Sequence, residues 1–185
     1  MRRIAPGRND LVVAIAEVFR AHGYAGASLS LITEATGLGK GSLYNFFPGG
    51  KDEMATAVLA HIDRWFENNV FTPLREAERP QEGIDRMLSA TDAYFHSGRR
   101  ICLVGAFALD DARDRFATEI KSYFARWVAD LAGALRRAEH AEAMLLAEEA
   151  VAAIQGALTL ARAFDDPAVF SRSMMQIRRR LGVAG

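Results

Sequence analysis

The sequence has little of what marks several large classes of protein. It has one cysteine, Cys102, in 185 residues, which excludes an intrachain disulfide framework and is compatible with a reducing compartment. No stretch approaches the ~18 uninterrupted apolar residues of a membrane-spanning helix. The first residues, Met1 to Gly7, lack the apolar segment of a secretory signal peptide. These absences predict a protein that works in the cytoplasm.

Motifs for catalysis and metal binding are also missing. Gly39 to Ser42 resembles a nucleotide phosphate loop, but it lacks both the required glycine spacing and a preceding strand. Cys102 lies in an apolar run, which favours an inert buried thiol, although Arg99 and Arg100 keep a redox role open. The histidines are far apart and lack metal-ligand spacing: His22, His61, His96 and His140. We therefore expect no enzymatic activity, no metal and no cofactor.

Half of the residues are apolar, and they recur at three- and four-residue steps, which is the period of a helix. Neither the alternation of a strand nor regular β-turn spacing is present, so the sequence predicts an all-α fold of about nine helices. The predicted helices are Asn9 or Asp10 to Gly23, Ser28 to Thr36, Lys40 to Phe47, Lys51 toward Val70, Ile84 to Phe95, Ile101 to Leu109, Arg113 to Ala138, Glu142 to Phe164 and Pro167 to Leu181.

The stretch from Gly37 to Pro48 has the pattern of a helix that reads DNA. Gly37 and Gly39 bracket a tight turn where a positive φ is cheap, and Pro48 ends the helix that follows. Because another short helix, Ser28 to Thr36, precedes the turn, the pattern predicts a helix-turn-helix. The second helix of this motif lies in the major groove.

The charge distribution agrees with this interpretation but is weak evidence alone. Residues 1–51 hold six Lys or Arg against three Asp or Glu, and the rest of the chain holds 17 against 20. The basic excess therefore falls in the segment predicted to contact DNA, within a chain of zero net charge.

The same segment resembles TetR-type regulators. The residues that carry the resemblance are Gly23-Tyr24, Ile32, Gly37, Lys40-Gly41-Ser42-Leu43-Tyr44, Phe47 and Lys51, in the family's order. Phe46 departs from the family's usual histidine, and the link Pro48 to Lys51 is one residue longer than usual. The resemblance covers Leu11 to Leu59 and implies a dimeric regulator with a helix-turn-helix domain, residues 1–50, and a helical ligand-binding and dimerisation domain, residues 51–185.

Side-chain chemistry suggests roles at the DNA. Lysine ammonium groups and hydroxyls bind phosphate, and a glycine lets the backbone approach the groove closely. Asparagine pairs with adenine and lysine with guanine, while a threonine contacts backbone or base. The predicted DNA-binding residues are Ser28, Thr33, Lys40, Gly41, Ser42, Tyr44, Asn45 and Lys51.

Aromatic residues in the larger domain suggest an internal pocket for an effector. Few charges lie on their helical stripes, so an apolar or aromatic small molecule is favoured. The predicted pocket residues are Trp65, Phe66, Phe95, Leu103, Phe107, Phe124 and Trp127. Ordinary core packing is the alternative for each aromatic residue, and the family resemblance favours the pocket.

The helix from Glu142 to Phe164 carries two apolar faces, one of them rich in small residues. Small residues permit close helix approach, so we expect this helix and the last one to form half of an intermolecular four-helix bundle, as the resemblance also implies. The predicted interface residues are Ala150, Ala153, Ala157, Ala161, Phe170, Met174 and Ile177. The alternative is a helix buried wholly within its own subunit.

These observations predict a ligand-responsive transcriptional regulator that binds a pseudo-palindromic operator as a homodimer. Repression is favoured over activation. An apolar or aromatic effector would release it. The alternative is a dimeric helical protein that binds small molecules without specific DNA recognition. The sequence leaves repression or activation, the effector and the operator open.

Overall fold

The computed structural model of the chain describes residues 7–183. Its helices are α1 Arg8–Gly26, α2 Leu29–Thr36, α3 Lys40–Phe46, α4 Gly50–Phe66, α5 Thr72–Glu76, α6 Pro80–Tyr94, α7 Leu103–Ala108, α8 Ala117–Arg137, α9 Ala143–Ala163 and α10 Ala168–Arg180. A π-helical turn, Glu67–Phe71, joins α4 to α5, and a 3-10 turn, Arg113–Phe116, precedes α8. With α4 to α5 taken as one rod, residues 7–183 form nine helical segments and no strand, which confirms the all-α prediction. Residues 1–6 lie outside the described residues. They make up most of the segment for which the sequence predicts no signal peptide.

The first of two compact units combines residues 1–63 with 103–120, as far as these are described. In it α1 packs on α2 and α7, and α2 contacts α3. Ile32, Leu43 and Phe47 are completely buried and close the core formed by α1, α2 and α3, which is called the reading head below. The unit therefore gains from α7 some of the apolar surface that three short helices lack.

The second compact unit consists of residues 64–102 and 121–183 as described. Here α9 packs along α10, α6 contacts both α5 and α10, and the aromatic side chains of α4, α6 and α8 form one buried cluster. The helix α4 begins in the first unit, and its last residues, from Arg64 onward, belong to the second.

These units do not coincide with the predicted boundary at residue 50. Phe107 and Phe116 lie far along the chain, yet their rings are 5.9 and 5.4 Å from the ring of Tyr24. Burial of these rings joins residues 103–120 to the reading head. A division of function between residues 1–50 and 51–185 stays a prediction, because compactness does not assign function.

Both ends of α1 differ from the sequence prediction. Helix α1 begins at Arg8, where the Asp10 carboxylate accepts a hydrogen bond from the Gly7 backbone N–H at 3.0 Å. It also continues past Gly23, which has a φ of 67° and kinks the helix instead of ending it. Glycine tolerates this left-handed conformation without a steric penalty.

Pro73 does not interrupt the rod as its missing N–H would suggest. The π-helical turn just before it widens the helix, and Pro73 then lies in the first turn of α5, where no N–H is needed. The Asn69 side chain donates to the Trp65 carbonyl at 2.7 Å, within the widened turn. The break before α6 therefore falls after Glu76, within the polar run Arg75 to Gln81 where the sequence predicts it.

Candidate nucleic-acid interface

The turn between α2 and α3 is built as the sequence predicts, with one difference. The Ser28 hydroxyl caps α2 by accepting from the Leu31 N–H at 3.3 Å. Gly37 ends α2 in the left-handed region, with φ 68°, and its N–H donates to the Thr33 carbonyl at 2.9 Å. Gly39 has an ordinary φ of −69° and precedes α3. Only the first of these two glycines needs a positive φ.

One face of α3 is buried and the other is open to solvent. Leu43 on α3 and Phe47 directly after the helix are fully buried, and they anchor α3 to the rest of the reading head. The exposed residues of α3 are Lys40, Gly41, Ser42, Tyr44 and Asn45. Five of the predicted DNA-binding residues therefore share one helix with its inner side firmly anchored, as a major-groove reader requires.

Gly41 has no intramolecular reason to be glycine. A Cβ added at this position would meet no atom within 4 Å among the described residues. Glycine inside a helix costs about 0.5–1 kcal/mol relative to alanine. Gly41 therefore lowers the stability of α3, and it leaves backbone that an outside surface can approach.

The two predicted contacts on α2 have partners of their own. The Thr33 hydroxyl donates to the Ser30 carbonyl at 2.8 Å, and Ser28 is occupied as an acceptor in the cap. Ser28 is exposed and its hydroxyl hydrogen is available to a phosphate, whereas Thr33 is half-buried.

Lys51 is held within the protein. Its ammonium donates to the Tyr24 carbonyl at 3.0 Å and lies 4.6 Å from the centre of the Tyr24 ring. It therefore joins the first turn of α4 to the last part of α1, a positioning role in addition to the phosphate contact that the sequence predicts. An ammonium has three donors, so hydrogens remain for a phosphate.

Tyr24 is also the centre of a charged cluster that sequence spacing does not reveal. Its hydroxyl donates to Asp52, and Arg115 pairs with the same carboxylate at 2.5 Å. Burial and the hydrogen bond to Asp52 raise the pKa of Tyr24 to about 12. The hydrogen bonds from Tyr24 and Arg115 lower the pKa of Asp52. No sequence motif links Arg115 to a residue so far away along the chain.

Two family models match the chain over most of its length. Residues 11–58 match the model described as bacterial regulatory proteins, tetR family, and residues 80–176 match the LmrA/YxaF-like transcriptional regulator C-terminal domain. The chain belongs to the TetR family. Both models describe regulatory proteins, the second of them transcriptional regulators.

Individual relatives agree with this membership. The regulator LmrA of Bacillus subtilis (strain 168) is 30% identical over 88 residues, which are 48% of this chain and 47% of LmrA. The alignments thus span about half the length of the curated relatives that the chain matches.

Solved structures of TetR-family regulators have a similar fold over nearly the whole chain. A TetR regulator from Legionella pneumophila has a TM-score of 0.81 at 21% identity and covers 96% of this chain and 98% of its own. A cysteine mutant of the TetR-family regulator CifR, complexed with 26-base-pair operator DNA, has a TM-score of 0.76 at 25% identity and covers 100% of both chains.

In this TetR-family protein the predicted effector residues fall into two separate clusters. In the second unit, Phe66, Phe95 and Trp127 are completely buried, and the Phe66 ring lies 5.2 Å from Trp127 and 6.3 Å from Phe95. Trp65 is half-buried, with its ring 4.5 Å from Tyr94. Phe124 is half-buried on α8.

The other two predicted effector residues, Leu103 and Phe107, belong to the first unit. Phe107 packs edge-on against Phe19 at 5.7 Å and is part of the reading-head core. The apolar stripe of α7 has the pattern expected of a helix that lines a pocket. In the structure, however, α7 packs on α1 and on the 3-10 turn. Leu103 and Phe107 thus belong to the core of the first unit, and their role in an effector pocket stays a prediction.

Sequence reasoning named Arg126 as a possible polar anchor of the pocket but missed Glu67. Glu67, in the π-helical turn, pairs with Arg75 and with Arg126 at 3.0 Å. Burial acts to raise the pKa of Glu67, but the hydrogen bond and charge of Arg75 outweigh it and lower the pKa. The Trp127 indole N–H is buried without a hydrogen-bond partner among residues 7–183.

Most of the predicted interface residues lie inside the protomer. Ala153 is the exposed exception, and the buried ones are Ala150, Ala157, Ala161, Phe170, Met174 and Ile177. They are buried because α9 packs along α10, which uses the alanine face that the sequence assigned to the partner. The other predicted face, with Ala147, Val151, Ile154 and Leu158, is buried as well. Spacing alone could not show that the protomer itself covers most of both faces.

The outer face of α9 is apolar as well, which the sequence did not single out. Leu145, Leu160 and Phe164 are exposed, the last to 65%. Between them Gly156 would meet nothing within 4 Å if it carried a Cβ. With apolar residues on two sides, α9 is the one helix among residues 7–183 long and apolar enough to cross a membrane by composition alone, although α10 covers one side.

Proposed function

We propose that this protein represses transcription as a homodimer on a pseudo-palindromic operator and leaves the DNA when an apolar or aromatic molecule binds. The observation that carries the proposal is the solvent-open face of α3, fixed from behind by Leu43 and Phe47. The complex of the CifR mutant with operator DNA supports it by relationship.

The exposed side chains of α3 divide by chemistry. Lys40, Ser42 and Tyr44 offer an ammonium and two hydroxyls for phosphate, which position the helix without reading sequence. Asn45 reads adenine, and Lys40 reaches guanine where it does not hold phosphate. Gly41 lets the α3 backbone approach the groove.

A second copy of the chain fits the outer face of α9. Gly156 weakens that helix as Gly41 weakens α3, and no described residue comes near enough to require it. A glycine on an exposed apolar face lets a partner helix approach closely, flanked by Leu145, Leu160 and Ala153. To bind both half-sites, the dimer must hold its two recognition helices about 34 Å apart, one turn of DNA.

The buried aromatic cluster of the second unit is the proposed effector site. Its rings are apolar, so the body of the ligand is apolar or aromatic, and the Trp127 N–H would donate to an acceptor on that ligand. The rings now contact each other, with Phe66 4.9 Å from Tyr123. An effector must therefore separate them, and that repacking gives it different affinities for two conformations.

DNA recognition is tested by fluorescence anisotropy with DNA from upstream of the protein's own gene and a scrambled duplex of equal length. A specific regulator should bind the first at least about 100-fold more tightly at physiological salt. Equal affinities would favour a small-molecule-binding protein that does not read DNA. Binding to an operator also requires that the protein be in the cytoplasm, as the sequence predicts.

The effector site is tested with a matched pair of probes, naphthalene and 1-naphthol. Both should quench tryptophan fluorescence, and 1-naphthol should bind more tightly because its oxygen accepts from Trp127. Trp127→Phe removes the N–H and should abolish that preference, while Trp65→Ala should weaken both probes. The probes must also lose affinity when operator is bound, because linkage is reciprocal, and equal affinities would show that this cluster is not the switch.

A further inference from the structure

A polar cleft of about 340 Å³ lies between α6 and α10, within the second unit. It is lined by Ser89, Asp92, Ser97, Ser171, Met174, Met175 and Arg178. Neither the DNA contacts nor the aromatic cluster uses these residues. The cleft carries one positive and one negative group that are not paired with each other.

The positive group is Arg178, which is fixed in place. Its guanidinium donates to the Asp85 carboxylate and to the Ser89 hydroxyl at 2.8 Å, both on α6. A guanidinium has five N–H donors, so hydrogens remain for a further acceptor. Arg178 is therefore a pre-positioned site for a carboxylate.

The negative group is Asp92, one helical turn farther along α6. Its Oδ2 accepts from the Ser97 hydroxyl at 3.1 Å. Ser89 and Asp92 are three residues apart on α6, a rise of about 4.5 Å, so they lie within one turn on the same side of the helix. A carboxylate flanked by serine oxygens is a site for an ammonium group.

The turn after α6 is built to hold Ser97 at this place. His96 and Ser97 have φ values of 49° and 51°, a region that side chains other than glycine rarely adopt. The following Gly98 packs so tightly that an added Cβ would lie 2.5 Å from the Cβ of Phe170. That contact fixes the turn, and the Ser97 N–H also donates to the Asp92 carbonyl at 3.0 Å.

The side chains of Met174 and Met175 also line the cleft. Met175 is 52% exposed, and methionine adapts its shape to apolar groups of different form. We infer that this cleft binds a free amino acid: the ammonium on Asp92 and its serines, the carboxylate on Arg178, and an apolar side chain on the methionines.

The test is calorimetric titration of the full chain with three probes. L-leucine carries both charges, L-leucinamide carries only the positive one and N-acetyl-L-leucine only the negative one. L-leucine should bind at least tenfold more tightly than either. Equal binding of L-leucinamide and L-leucine, or no binding of L-leucine at millimolar concentration, would overturn the inference.

Two variants locate the site. Asp92→Asn should weaken L-leucine at least tenfold and leave N-acetyl-L-leucine unchanged, whereas Asp111→Asn, an exposed carboxylate elsewhere, should change neither. Ser97→Gly suits the positive φ, so it keeps the fold, and it should weaken L-leucine through loss of the hydroxyl. L-leucine binding at wild-type affinity in Ser97→Gly and in a folded Asp92→Asn would refute the assignment.

Discussion

The two regions proposed to carry function, the outer face of α3 and the aromatic cluster of the second unit, are built in opposite ways. On α3 the functional side chains are exposed and the structural ones, Leu43 and Phe47, are hidden. In the cluster, Phe66 and Trp127 are completely buried and serve as core and proposed site together. An exposed site can therefore be altered without harm to the fold, whereas a buried one cannot.

The sharpest test of this difference is a pair of truncations. Phe66→Ala should cost about 3–5 kcal/mol of unfolding free energy, because it empties a packed core position. Tyr44→Ala, on the open face, should change stability by about 0.5 kcal/mol or less and yet lose operator affinity. Urea unfolding of both variants measures this. A large loss of stability in Tyr44→Ala would erase the distinction.

The outer face of α9 extends the comparison to assembly. Gly156→Glu should give monomers, because it brings like charges together across a two-fold interface, and operator affinity should fall by about 100-fold or more. Glutamate is the better helix former, so the protomer should not lose stability. Sedimentation and anisotropy report the two effects. Ala129→Glu, on the exposed side of α8, is the control, and a dimeric Gly156→Glu protein would refute the proposed interface.

Lys40 tests whether the exposed face acts by charge. Lys40→Ala should weaken operator binding about tenfold, which is ~1.4 kcal/mol, and lower the slope of log affinity against log salt by about one. Lys121→Ala removes an exposed lysine from α8 and should leave both quantities unchanged. Anisotropy at several salt concentrations gives the slopes. Identical slopes for Lys40→Ala and wild type would remove Lys40 from the interface.

Gly41 sharpens the comparison because stability and binding should move in opposite directions. Gly41→Ala should stabilise the fold by about 0.5–1 kcal/mol, since space is open around it, and weaken operator binding several-fold. Gly37→Ala should instead destabilise, because residue 37 has a φ of 68°. Thermal unfolding and anisotropy test both. A Gly41→Ala protein that binds DNA as wild type does would contradict the close-approach argument.

The smallest expected effect concerns the Tyr24 cluster. The pKa of Tyr24 is raised from 10.0 to about 12, so its stabilisation is complete below pH 10 and is lost as pH rises through about 12. The pKa of Asp52 is lowered from 3.8, so its stabilisation is present above that pH and is lost in acid. Tyr24→Phe should flatten the alkaline part of the stability profile relative to wild type. Parallel profiles between pH 9 and 12 would show that the hydroxyl contributes nothing.

The sequence predicted the reading head well, because its residues are near neighbours with conformational demands of their own. Ser28 at a cap, Gly37 at a left-handed turn and Lys40 to Asn45 on an open helix need no distant partner to be recognised. The cluster of Tyr24 with Arg115 could not be found in this way, since no local rule pairs two residues so far apart.

By itself the sequence determined the helical class, the helix-turn-helix and the residues presented by α3, since periodicity, caps and glycines act within a few residues. Only the tertiary structure decided that the protomer itself covers most of both predicted faces of α9, which unit receives Phe107, and that Lys51 is held by Tyr24. The apolar pattern of a helix shows which residues favour burial but not which helix covers them, because burying apolar area has a similar free energy whatever the partner.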